Sequence, residues 1–126
     1  MAILVNAGRE MITGLIAKVG AGNGSLSPKY IAWGTSSTAE AASQTALQAA
    51  SAEARTLGTM SQVTTSVTND TFQCVGTITS ASGQTIAEAG LFDASSAGNM
   101  LIRGIFTGVA LLTGDSIQFT IKLQFT

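Results

Sequence analysis

A chain of 126 residues is about one domain long, enough for one modest core without disulfide or metal staples. Only 10% of its residues are charged against 45% hydrophobic, and six basic and seven acidic residues spread without runs argue against the clustered basic surface that nucleic acid requires. No stretch approaches the roughly 20 apolar residues that cross a bilayer, and a single cysteine, Cys74, excludes both an internal disulfide and a thiolate metal cluster.

The apolar start, Met1 to Asn6, is too short for a signal sequence and is followed by Arg9 and Glu10, so the chain reads as soluble and made in a cytoplasm. From Ala7 to Val19, Met11, Ile12, Leu15, Ile16 and Val19 recur at helical spacing, with Asn6 as the expected N-cap. Gly20 to Ser25 ends that helix in a loop. It lacks the Lys-Ser/Thr ending and the strand-before-helix setting of a phosphate loop.

Lys29 to Gly34 follows Pro28 and carries Tyr30 and Trp33, which predicts a strand. Thr38 to Ala54, rich in Ala, Gln, Ser and Glu, predicts one or two helical turns within a partly irregular connection lying across the sheet. Strand signals then succeed one another. Thr59 to Val67 and Thr71 to Thr79 form a hairpin about Asn69-Asp70, with Cys74 read as a small buried hydrophobe. Ile86 to Phe92 follows the Ser82-Gly83 turn. After a turn at Ser95 to Asn99, Met100 to Phe106 is nearly continuous in apolar residues, as expected of a strand covered on both faces. Beyond Thr113-Gly114-Asp115, Ile117, Phe119, Ile121, Leu123 and Phe125 alternate strictly with polar residues.

This pattern predicts a mainly β, sandwich- or jelly-roll-like single domain with an N-terminal helix. Residues 1–25 would be the helix or arm with its loop, and residues 26–126 the β-rich module.

The chain contains no histidine, the commonest general base and metal ligand near neutral pH. Among the carboxylates, Glu88 and Asp93 could serve hydrolysis only if they converged, and their odd spacing on a strand turns them to opposite faces. Asp70, Asp93 and Asp115 read as turn residues. Glu88, between Ala87 and Ala89, reads as a buried charge that needs a cation such as Arg55 or Arg103, and a structural ion pair of Glu88 with Arg103 is expected. Tyr30 and Trp33 are the candidate interface aromatics, although composition favours a core or rim place for each over an interface one. Neither a cofactor nor a metal is expected: no catalytic or calcium-loop pattern is present.

Tyr30-Ile31-Ala32-Trp33-Gly34-Thr35, Thr45-Ala46-Leu47 with Glu53 and Arg55, Ile86 to Asp93, and Gly114-Asp115-Ser116-Ile117 together resemble small virion proteins of tailed bacteriophages. These are the capsid decoration (cement) proteins and the related N-terminal modules of tail-fibre proteins. The resemblance covers most of Lys29 to Phe125. It implies a non-enzymatic module that assembles, commonly as a homotrimer, with Glu88 to Asp93 holding the fold. Because the chain stops soon after its last strand, the first expectation is a cement protein on the capsid surface that bridges major capsid protein subunits. Ala2 to Val19 would then be an arm reaching a neighbour. The alternative is a tail or tail-fibre attachment module binding a virion or host-surface component, a glycan among the candidates, through Tyr30, Trp33 and the turn at Ser95 to Asn99.

Overall fold

The computed structural model describes residues 2–17 and 28–126, and residues 13–17 by their backbone alone. Among the described residues, eight strands and one helix run in the order β1 (Ile3–Leu4), α1 (Asn6–Ala17), β2 (Tyr30–Gly34), β3 (Thr56–Leu57), β4 (Thr59–Val63), β5 (Thr71–Thr79), β6 (Gln84–Phe92), β7 (Met100–Leu111) and β8 (Ser116–Gln124). They form two antiparallel sheets, one ordered β1-β7-β6-β2-β3 and the other β4-β5-β8.

Period-2 alternation decides what lies between the sheets. Along β2, Ile31 and Trp33 enter the main core, and Ala32 joins a second cluster with Leu47, Phe92, Met100 and Val5. From the smaller sheet, Phe72, Cys74 and Ile78 of β5 and Ile117, Phe119, Ile121 and Leu123 of β8 meet Ile31, Trp33, Ile86, Leu91 and Ile102. The edge of Phe119 packs against Trp33, with ring centroids 6.2 Å apart and planes at 80°. The larger sheet therefore has two covered faces. The smaller sheet lies on one, and the 38–54 connection lies on the other.

One lateral side of this sandwich is closed by a strand that changes sheets. β3 ends at Leu57, Gly58 turns the corner with its N–H on Lys29 O (2.7 Å), and β4 begins at Thr59 in the other sheet. A Cβ at Gly58 would stand 2.5 Å from Cys74 Sγ, so this corner requires glycine for close approach.

Several expectations are modified. Asn6 lies in the first turn of α1 and is not its cap: Val5 O accepts from Arg9 N–H (3.1 Å), and Asn6 Oδ1 accepts from the Arg9 guanidinium (3.0 Å). Lys18, Val19 and the Gly20–Ser25 loop are outside the described residues. The helical turns predicted within Thr38 to Ala54 do not form, although the irregular course across the sheet does. The strand predicted to run to Val67 stops at Val63, because Asp70 organises the segment beyond it into a loop. Full coverage belongs to β6, which is buried from Ile86 to Phe92, whereas β7 is buried only over Met100–Arg103 and at Leu111.

Candidate functional site

Glu88 and Arg103 are each 0% exposed on neighbouring strands β6 and β7. Arg103 pairs with Gly90 across the sheet, which puts its side chain on the same face as Glu88. Arg103 Nε and Nη2 both lie 2.7 Å from Glu88 Oε2. The remaining hydrogen-bonding capacity is directed at the 38–54 connection. Glu88 accepts from Gln48 N–H (3.1 Å) and Ala49 N–H (2.7 Å), and Arg103 donates to Gln44 Oε1 and Thr38 O, each at 3.0 Å. The pair thus replaces the helical hydrogen bonds that Thr38 to Ala54 lacks, and holds that segment against the sheet.

The other carboxylates are equally committed to backbone. Asp93 accepts from Asn99 N–H (2.7 Å) and Asn99 Nδ2 (3.1 Å), closing a turn in which Ala97 and Gly98 take positive φ. Arg55 stacks its guanidinium 3.6 Å from the Phe92 ring centroid and donates to Ala94 O and Ala97 O of that turn, and does not pair with Glu88. Glu53 accepts from Trp33 Nε1 (3.0 Å), Ala81 N–H (2.9 Å) and Gln84 Nε2 (2.7 Å); the Ala81 N–H, then Trp33 and Gln84, hold its carboxyl below the ordinary range. Asp70 accepts from Thr65, Ser66 and Val67 N–H, and those bonds push its pKa well down. Burial raises the Cys74 thiol, as expected of a packed side chain and not a nucleophile.

The candidate interface aromatics divide. Trp33 is 1% exposed, sealed under Phe119 and bonded to Glu53, so it is a core residue and offers no contact platform. Tyr30 is half-buried against the Leu47, Phe92 and Met100 cluster. The described part of the N-terminal arm is docked on its own sheet: β1 pairs with β7, Val5 is fully buried, and Gly8 packs so closely on Leu101 that a Cβ there would overlap Leu101 O.

What no local pattern revealed is an apolar groove on the lateral side away from Gly58. It has a volume of about 210 Å³ and is lined by residues including Ala2, Ile102, Phe106, Phe119, Ile121 and Lys122. Among the described residues, Lys122 is the only ionisable side chain on its wall. β7 and β8 are joined by the turn at 112–115 yet belong to different sheets, and the groove lies where their edges part. It can hold apolar side chains and offer strand edges. It provides no acid–base pair.

A family model described as Podophage GP4 fiber I protein gp80 matches residues 21–124. No curated protein and no solved structure matches the chain.

Proposed function

The chain belongs to the family of the podophage GP4 fiber I protein gp80, a phage virion structural protein of tail-fibre-like kind, and from that premise we propose that it acts without catalysis as an attachment module of a tail fibre. The single observation that carries this reading is the family match over residues 21–124. The geometry agrees with it: Glu88, Asp93 and Glu53 hold loops in place, and the groove suits contact with protein. Its partners on this reading are neighbouring fibre or tail proteins, met through strand edges and loops.

Capsid decoration, with the major capsid protein as partner, is the reading that the low charge first suggests. A fibre family supports a tail position over a head position. Immunogold electron microscopy of virions with antibody to this chain tests the choice. Label along the tail or its fibres is expected, and label spread over the head would overturn the fibre reading in favour of decoration.

A further inference from the structure

We propose that the open seam between β7 and β8 receives one extended strand from a different protein of the tail, hydrogen-bonded along the free edge of β8. The proposal rests on the fibre reading for the source of that strand, while the edge itself is argued from this chain alone.

The phase of the β5–β8 ladder fixes which groups the edge displays. Phe125 N–H donates to Asp70 O (2.9 Å) and Ser80 N–H donates to Asp115 O (2.7 Å), and both pairs continue the register that joins β5 to β8. Antiparallel neighbours are hydrogen-bonded at every second residue. Ile117, Phe119, Ile121 and Leu123 therefore turn their main-chain groups toward β5, and Gln118, Thr120 and Lys122 turn theirs away from it. Among the described residues no strand meets them there. The groove agrees: an alternating strand shows one face only every second side chain, yet four consecutive residues, Phe119 to Lys122, line it, so main chain is exposed in its wall.

The chain fills the beginning of this seam itself. β1 pairs with β7 at Ile102 and Arg103, Ala2 packs on Gly104 so closely that a Cβ there would stand 2.8 Å from Ala2 Cβ, and Glu40 Oε1 accepts from Ile105 N–H (3.1 Å). From Phe106 onward the described residues place no strand in it.

The walls define the occupant. Alternating main-chain donors and acceptors are met by another main chain, as in strand addition to a sheet edge. Ile102, Phe106, Phe119 and Ile121 line the groove, so the strand is apolar at every second position. Lys122, exposed and opposite uncharged Gln73 within this chain, calls for a carboxylate on the intervening positions. A second copy is unsuited to the seam, because each of its described strands is already held in a sheet and would arrive with that sheet attached.

Photo-cross-linking in assembled virions tests this. Gln118 is exposed and faces Thr77 within this chain, so benzoylphenylalanine in place of Gln118 leaves the fold alone. It should capture one segment of another tail protein, apolar at alternate positions and carrying an acid. The same label in place of Ser61, on the opposite edge of the sheet, should not capture that segment. No capture at Gln118, capture of a second copy alone, or capture of a segment without the alternation overturns the strand addition, and immunogold label on the tail would still uphold the fibre reading. An alternating segment from a head protein overturns the assigned source and the fibre reading together. Thr120→Pro removes a donor that points away from β5, so the purified chain should melt close to wild type while capture is lost. Ile121→Pro, which breaks the β5 ladder, should lower the melting temperature sharply. With the captured segment as a synthetic peptide, Lys122→Glu should weaken binding roughly 2- to 30-fold by setting like charges opposite each other. Unchanged capture by Thr120→Pro, or unchanged peptide affinity in Lys122→Glu, counts against the proposal.

Discussion

Arg103 and Glu88 are worth more as a hinge pin between sheet and loop than as a charge pair. A fully buried ion pair gains little over an apolar pair of the same shape, but removing one partner strands the other. Arg103→Met should therefore cost about 3–5 kcal/mol in urea unfolding, because Glu88 stays buried without its cation. Adding Glu88→Gln should recover part of that loss, since Gln48 and Ala49 N–H keep an acceptor while the charge disappears. Asp70 makes a pH-dependent contribution. Its folded pKa lies below the unfolded value, so its stabilising effect is full above the ordinary Asp value of about 3.9 and is lost as pH falls through the depressed value. Urea midpoints taken from neutral pH into the acid range should fall more steeply for the wild type than for Asp70→Asn. Parallel curves would assign the acid loss to other groups.

At the scale of elements, the corner at Gly58 and the close approach at Gly34 make the same demand on the chain, a position without a side chain. Gly58 sits where one strand passes between sheets, and Gly34 sits where Ala49 and Glu88 crowd β2, close enough that a Cβ would overlap Ala49 O. Alanine at either position should cost about 1–3 kcal/mol by overpacking. Gly34→Ala should also loosen the 38–54 connection, seen as faster proteolysis there; Gly58→Ala should not. These elements also mark how far the sequence could be read. The alternation from Ile117 to Leu123 and the Tyr30 to Gly34 segment declared their strands, because half-buried and sandwiched strands leave a period in their own residues. Helix propensity in Thr38 to Ala54 misled, because the hydrogen bonds that decide its path come from Glu88 and Arg103, tens of residues away. Glu88 with Arg103 was legible as a need for a buried cation. A core place for Trp33 was the favoured reading on composition, but its partners Phe119 and Glu53 were not legible, since no local pattern joins them to it. The outer half of β7 was missed because Thr107, Gly108 and Ala110 interrupt its apolar run.

For the whole molecule, protection from exchange with solvent should follow position in the sheets. β6, flanked by β7 and β2 and buried from Ile86 onward, should hold its amide protons longest. β4 and the outer amides of β8 should exchange first in hydrogen–deuterium measurements on dilute protein.

The strand order also sets a timetable for synthesis. β2 meets only the two-residue β3 before β6 appears: Ile31 faces Leu91, about 60 residues later in the chain, and Phe72 likewise waits about 50 residues for Leu123. At roughly 5–20 residues per second, β2 spends several seconds outside the ribosome with Ile31 and Trp33 uncovered. Because β8 comes after the other seven described strands in chain order, the smaller sheet cannot be completed until all of them have been made. The nascent chain is thus most vulnerable to aggregation, and most dependent on chaperones, during the interval between the emergence of β2 and that of β6.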